Sequence, residues 1–125
     1  MKNQNYLGLR TVVYYVNNLN EAKEWYSKAF DTKPYFDEPF YVGFNIAGYE
    51  LGLLPQEDSG KQLTENTITY WGVSDINEAY SHMLDIGAKN HEEPNSVGED
   101  LMVASVIDPW SNIIGLIYNP HFKLQ

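Results

Sequence analysis

The segment Val16-Asn17-Asn18-Leu19-Asn20-Glu21-Ala22 recurs 57 residues later (73 − 16) as Val73-Ser74-Asp75-Ile76-Asn77-Glu78-Ala79. Both copies follow a run rich in β-branched and aromatic residues, and both open a helical pattern of apolar residues. A second echo, at an offset of 63 residues (115 − 52), pairs Leu51-Gly52-Leu53-Leu54 with Ile114-Gly115-Leu116-Ile117. Because the elements recur in the same order, we interpret the chain as two copies of a module of about 60 residues.

Each copy is predicted to have the order strand, helix, strand, strand, strand. In the first copy the strand 7–16 precedes a helix over about 20–30, whose apolar residues share one face and whose cap is Asn18 or Asn20. The strands that follow are predicted at about 33–36, 40–46 and 49–54, with a turn at 37–39. The second copy is predicted as strand 67–73, helix 77–86 ended by Gly87, and strands 88–91, 101–107 and 112–118.

The order βαβββ–βαβββ predicts an α+β fold. Two tandem modules would form a curved mixed sheet with the helices outside and an open cleft on the concave side. We expect one domain over 1–125, with module one at about 6–54, a polar linker at 55–65 and module two at about 66–119. A ferredoxin-like domain, with the order βαββαβ, is the alternative fold.

Length and composition exclude several classes of protein. A chain of 125 residues is the usual size of a single domain and needs no disulfide or metal to hold its core. The absence of cysteine excludes disulfides, zinc–cysteine sites and a thiolate nucleophile. The net charge of −9 disfavours nucleic acid and anionic membranes as partners. With no apolar signal or membrane segment in view, we expect a cytoplasmic protein.

Two motifs resemble the vicinal oxygen chelate superfamily, which includes glyoxalase I, bleomycin-resistance proteins and extradiol dioxygenases. Residues 16–26, Val-Asn-Asn-Leu-Asn-Glu-Ala-Lys-Glu-Trp-Tyr, resemble the family pattern V-x-D-L-x-x-A-x-x-F-Y. Residues 108–116, Asp-Pro-Trp-Ser-Asn-Ile-Ile-Gly-Leu, resemble D-P-D-G-N-x-I-x-L, with Trp110 in place of an Asp. The resemblance covers nearly the whole chain and implies the duplicated fold and a homodimer, but fold alone does not assign function.

The resemblance also implies where metal ligands would lie. Metal enzymes of the family hold the ion with four strand residues, and these positions map onto Thr11, Ile68, Gly52 and Gly115. None of the four is a usable ligand, because Thr is a poor neutral donor and the others carry no donor atom. If the register of the last strand in the first copy is shifted, the mapped ligand position would be Glu50 or Leu51 instead of Gly52. We therefore expect no metal and no cofactor.

Strand alternation selects the residues expected to line the cleft. The candidate ligand-binding residues are Thr11, Val13, Tyr15, Glu50, Gly52, Ile68, Tyr70, Trp110 and Gly115. Glycine at both mapped ligand positions predicts a roomy, mainly apolar cleft with tyrosine hydroxyls and one carboxylate. Core filling by Tyr15 and Tyr70, core packing of Trp110 and a solvent-facing Glu50 are the alternatives.

The remaining polar groups suggest no catalytic centre. His82, His91 and His121 show no metal-ligand spacing, and we expect them at the surface. The acidic segment 92–100 is predicted to be a solvated connection. No nucleophile motif or phosphate loop is present, so no catalytic residue is assigned.

The leading hypothesis is a metal-free protein of the glyoxalase and bleomycin-resistance type that binds a small organic molecule. It would sequester a cationic or aromatic compound by stacking and charge. One alternative is an enzyme of the same superfamily, a lyase, isomerase or dioxygenase-like protein, using Glu and Tyr acid–base chemistry or an unrecognised metal site. Another is an interaction or regulatory domain with a vestigial cleft.

Overall fold

The chain folds as two successive βαβββ units. The computed structural model describes residues 9–56 and 68–121, and the chain divides into the compact units Met1–Glu57 and Asp58–Gln125. The first unit contains β1 (Thr11–Val16), α1 (Leu19–Ala29), β2 (Phe36–Glu38), β3 (Tyr41–Ile46) and β4 (Tyr49–Pro55). The second contains β5 (Thr69–Gly72), α2 (Ile76–Asp85), β6 (Lys89–Ser96), β7 (Met102–Ile107) and β8 (Ile113–Tyr118). The α+β class and the tandem repeat are confirmed.

Each unit forms its own four-stranded mixed sheet. The strand orders are β1-β4-β3-β2 and β5-β8-β7-β6. In both sheets the first pair of strands is parallel and the other pairs are antiparallel. Each repeated sequence segment occupies equivalent positions in the two units. The first segment lies at the start of each helix. The second lies in β4 and in β8, each of which is second in the strand order of its sheet.

The first echo begins both helices through the same cap. The side chains of Asn18 and Asp75 each accept a 3.1 Å hydrogen bond from the backbone N–H three residues on, at Glu21 and Glu78. These bonds satisfy amide donors that the first turn of a helix leaves unpaired. Gly87 follows α2 with φ of 109°, the left-handed conformation that its position predicts.

One face of the first sheet packs against its helix. Tyr26 of α1 is fully buried and stacks on Tyr14 of β1, with 5.8 Å between the ring centroids. The core side chains of β3 and β4 alternate with residues of the opposite face, as strand geometry requires. The buried side chains on this face are Tyr14, Val16, Val42, Phe44, Leu51 and Leu53. The opposite face carries Thr11, Val13 and Tyr15, which are exposed.

Three predicted segments were wrong. The strand predicted at 33–36 and the turn at 37–39 are replaced by β2 at Phe36–Glu38, which pairs with β3. The predicted acidic connection 92–100 is part of β6 as far as Ser96. The register of β6 on β7 shifts twice, between Asn90 and Glu92 and again before Asn95, and such bulges remove the alternation that identifies a strand in sequence.

Most of the predicted linker lies outside the described residues, although Pro55 ends β4. In the described part of the chain, neither helix is long and apolar enough to span a membrane.

Candidate ligand-binding site

The strand register places the mapped positions of the first unit on one face of its sheet. Thr11 lies beside Glu50, and Val13 lies beside Gly52. Gly52 is paired on its other side with Gly43 of β3. Leu51 points to the opposite face and is 0% exposed. Glu50 and Gly52, not Leu51, therefore belong to the face that the sequence selected.

Glu50 is the centre of a hydroxyl cluster on this face. The hydroxyls of Tyr41 and Tyr35 donate to its Oε2 at 2.7 and 2.8 Å. The Thr11 hydroxyl donates to Oε1 at 3.3 Å. Glu50 and Tyr41 are half-buried, whereas Tyr35 and Thr11 are exposed. We call Thr11, Tyr35, Tyr41 and Glu50 the Glu50 cluster.

Two glycines form the floor beneath this cluster. A Cβ atom added to Gly43 would stand 2.9 Å from Oε2 of Glu50 and 3.2 Å from the rings of Tyr35 and Tyr41. A Cβ at Gly52 would collide with the Tyr41 hydroxyl and stand 2.7 Å from its ring carbons Cε1 and Cζ. The prediction of an open space at Gly52 was wrong, because the ring of Tyr41 fills it.

The hydroxyls stabilise the ionised form of Glu50. Hydrogen bonds from Tyr41 and Tyr35 lower the pKa of Glu50, and the Thr11 bond acts in the same direction. The carboxylate in turn raises the pKa of Tyr35, chiefly through its hydrogen bond. Desolvation and the Glu50 bond together raise the pKa of Tyr41. At neutral pH the cluster is therefore a carboxylate surrounded by neutral hydroxyls.

The second unit has the same strand register around Gly115 as the first unit has around Gly52, but it has no counterpart of the Glu50 carboxylate. Tyr70 lies beside Gly115, and a Cβ at Gly115 would stand 2.7 Å from the Thr69 carbonyl oxygen, 2.7 Å from Cδ1 of Tyr70 and 3.0 Å from Cγ2 of Ile68. The space predicted at Gly115 is therefore also filled. Ile113, two residues before Gly115, stands where Glu50 stands before Gly52, and it is buried.

His91 is half-buried rather than at the surface. It lies on β6, and its Nδ1 is 2.7 Å from Oγ of Ser105, which is 1% exposed. The expectation for this histidine rested on the absence of metal-ligand spacing, which does not report burial, and β6 turns the imidazole toward Ser105 of β7. His82 and His121 are exposed, as expected.

The structure brings the predicted candidates together in two groups. Thr11, Glu50 and Gly52 meet in the first unit, with Val13 and Tyr15 further along β1. Ile68, Tyr70 and Gly115 meet in the second unit. Trp110 is half-buried in the turn before β8, where its backbone N–H donates to Asp108 at 2.8 Å.

Sequence reasoning missed three residues of the cluster region, namely Tyr35, Tyr41 and Gly43. Tyr41, Gly43 and Asn45 are every second residue of β3 and therefore share one face of the sheet, and Asn45 lies beside Glu50. Alternation along β3 was thus the available signal for Tyr41 and Gly43. Tyr35 precedes β2, and no strand pattern marks it.

Comparison with known proteins agrees with this architecture. Residues 8–116 match the family model of the Glyoxalase/Bleomycin resistance protein/Dioxygenase superfamily. The chain therefore belongs to this superfamily. Among curated proteins the chain has no match.

Solved structures share the fold at low sequence identity. A glyoxalase-related enzyme from Fulvimarina pelagi is 16% identical, with a TM-score of 0.77 over 96% of this chain and 94% of that one. A genomically encoded fosfomycin resistance protein from Listeria monocytogenes is 16% identical, with a TM-score of 0.76 over 93% and 96%. A glyoxalase/bleomycin resistance protein/dioxygenase family enzyme from Burkholderia phytofirmans is 12% identical, with a TM-score of 0.74 over 86% and 95%.

The residues at the mapped ligand positions do not fit a divalent metal ion. A ring covers Gly52, and Thr69 and Tyr70 crowd Gly115, so neither position has room for a ligating side chain. Thr11 and both tyrosines direct their hydroxyl protons at the single carboxylate. Within residues 9–56 and 68–121, no group of three or more His, Asp or Glu side chains could hold a metal.

Proposed function

We propose that the protein binds and sequesters a small organic cation at the Glu50 cluster, without a metal. The observation that carries this proposal is the ionised Glu50 carboxylate, which lies half-buried among aromatic side chains and accepts bonds only from neutral hydroxyls among the described residues. A partly desolvated carboxylate without a cationic partner favours a ligand that supplies one. The net charge of −9 would draw such a ligand toward the protein.

Aromatic surface around the carboxylate supports an organic cation over a hydrated inorganic one. The Tyr41 ring centroid lies 5.9 Å from that of Phe36, which in turn lies 6.1 Å from that of Phe40. Tyr35 and Phe40 are each 63% exposed. Exposed rings beside a negative charge provide stacking and cation–π contacts for a ligand with an apolar part.

The direction of each pKa shift supports binding rather than proton transfer. A general base works best with a pKa near the operating pH, but hydrogen bonding moves the pKa of Glu50 further below it. The pKa of Tyr41 is raised, which moves this phenol away from the range of a general acid. We therefore place Glu50 in the role of a charge that holds the ligand.

The test is isothermal titration calorimetry of the full chain with a panel of organic cations, each paired with a neutral analogue. We expect cations to bind and neutral analogues to bind at least about tenfold more weakly. Glu50→Gln should abolish this preference. Glu24→Gln, which removes the same charge from an exposed site on α1, should leave it intact.

Two results would count against the proposal. One is an equal loss of affinity in the Glu50→Gln and Glu24→Gln variants, which would indicate only a general effect of charge. The other is the absence of any cation that binds the wild-type chain. Recovery of a bound ligand chemically unchanged after prolonged incubation would support sequestration.

A further inference from the structure

Resting on the proposed function, we infer that the ligand is a primary or secondary ammonium that donates to Oε1 of Glu50, with its apolar part lying along β1 over Val13 and Tyr15. The inference comes from the unequal use of the two carboxylate oxygens. It specifies the type of cation, the oxygen it contacts and the direction of the rest of the molecule.

The Oε2 atom is already saturated. A carboxylate oxygen offers about two lone-pair positions, and Oε2 accepts the two short bonds from Tyr41 and Tyr35. Both have the usual length of an O–H···O hydrogen bond, about 2.7–2.8 Å. A ligand donor could reach Oε2 only by displacing a tyrosine hydroxyl, which would leave that hydroxyl or the carboxylate less well paired.

The Oε1 atom has capacity left. Its one donor among the described residues is the Thr11 hydroxyl, at a distance of 3.3 Å that indicates a weak bond. One lone-pair position is therefore open and the other is loosely held. A charged N–H donor would form a stronger bond than the threonine hydroxyl does.

The position of Oε1 sets the direction of the ligand. This oxygen faces Thr11 on β1, whereas Oε2 faces the tyrosines on the β3 side. β1 is the edge strand of the sheet, and on this face it presents Val13 and Tyr15, which are 39% and 41% exposed. At about 3.3 Å per residue, these side chains lie roughly 7 and 13 Å beyond Thr11. An apolar chain or ring attached to the amine can cover both.

The same geometry disfavours two other classes of cation. A quaternary ammonium has no N–H and cannot bond to Oε1. A guanidinium binds a carboxylate best through both oxygens, but Oε2 is occupied. A primary or secondary ammonium can donate one N–H bond to Oε1 alone, so the carboxylate can bind it without displacing a tyrosine hydroxyl.

The experiment compares three probes by calorimetry on the full chain: 4-phenylbutylammonium, its N,N,N-trimethyl derivative and 4-phenylbutylguanidinium. We expect the ammonium to bind about tenfold or more tightly than either of the others. Tyr15→Ala and Val13→Ser should each weaken its binding about fivefold or more. Tyr118→Ala, which removes a ring of similar exposure (36% against 41% for Tyr15) from the second unit, should have little effect. Phe40→Ala, at the aromatic surface on the other side of the cluster, should weaken binding less than Tyr15→Ala does. Thermal melting would show that each variant is folded.

Three results would overturn the inference. If all three probes bind equally and all depend on Glu50, the proposed function stands but the choice of oxygen is wrong. If Phe40→Ala weakens binding and Tyr15→Ala does not, the ligand lies in the other direction. If 4-phenylbutylammonium does not bind, the inference fails, and the broader cation panel with Glu50→Gln separately decides the proposed function.

Discussion

The ring of Tyr41 lies directly on the backbone of Gly52, so that a Cβ atom at position 52 would stand 2.7 Å from Cε1 and Cζ of the ring. The three atoms nearest to that Cβ position all belong to Tyr41. The glycine and the tyrosine therefore act as one steric unit. It fills the place where the family resemblance would put a metal ligand and carries a hydroxyl to Glu50 instead.

Substitution Gly52→Ala should destabilise the first unit by about 1–3 kcal/mol, the usual cost of overpacking. The cause is the collision with the Tyr41 ring, so the cost should fall to about 0.5 kcal/mol or less in a Tyr41→Ala background. A double-mutant cycle measured by urea denaturation gives the coupling. Additive effects of the two substitutions would show that the ring is not what excludes a side chain at position 52.

Substitution Gly115→Ala should be more damaging, at the upper end of the overpacking range or about 3 kcal/mol. Here the Cβ atom would meet the carbonyl oxygen of Thr69, which is backbone paired into the sheet and cannot rotate away. A Tyr70→Ala background should therefore give little rescue, in contrast to the rescue of Gly52→Ala. Full rescue by Tyr70→Ala in the same denaturation assay would contradict this reading.

Substitution Tyr41→Phe should raise the pKa of Glu50 toward its ordinary value of 4.5, because the Tyr41 bond is the largest cause of the lowered pKa. Tyr35→Phe should produce a smaller rise. NMR titration of the glutamate carboxyl carbons measures both shifts. Tyr118→Phe, in the other unit, is the control and should leave the Glu50 titration unchanged.

The free energy of unfolding should depend on pH through the titration of Glu50. Its pKa is lower in the folded chain than in the unfolded one. Its stabilising contribution is thus complete above the ordinary pKa of 4.5, which the unfolded chain has, and is lost as the pH falls through the folded pKa. The difference in unfolding free energy between wild type and Glu50→Gln should therefore be largest near pH 6 and shrink by pH 3. A constant difference for Glu50→Gln across this range would refute the linkage.

Much of the fold was predictable because its signals are local. The helix-start segment and its caps placed both helices to within about a residue, and β-branched runs marked β1, β3, β4, β7 and β8. The failures at β2 and β6 have a different cause. β2 is a three-residue edge strand defined by its pairing with β3, and the bulges of β6 interrupt its alternation.

The site was predictable only in part for a related reason. Alternation along β1 and β4 placed Thr11, Glu50 and Gly52 on one face. Tyr41 and Tyr35 lie 9 and 15 positions from Glu50 in the chain. Their hydroxyls converge on the carboxylate because the register sets Gly43 beside Gly52 and lets the rings lie close to the sheet. Alternation along β3 could place Tyr41 on this face, but the convergence of both hydroxyls on one carboxylate depends on tertiary pairing, and no strand pattern marks Tyr35.

The two units share the same strand register but differ in the side chains that this register places beside the glycines. At the strand position two residues before each floor glycine, the first unit has Glu50 and the second has the buried Ile113. The same strand position therefore accommodates either a charged side chain or a buried apolar one. If the Glu50 cluster binds the ligand as proposed, substitutions confined to the first unit should change the ligand preference and leave the hydrophobic packing around Ile113 unaltered.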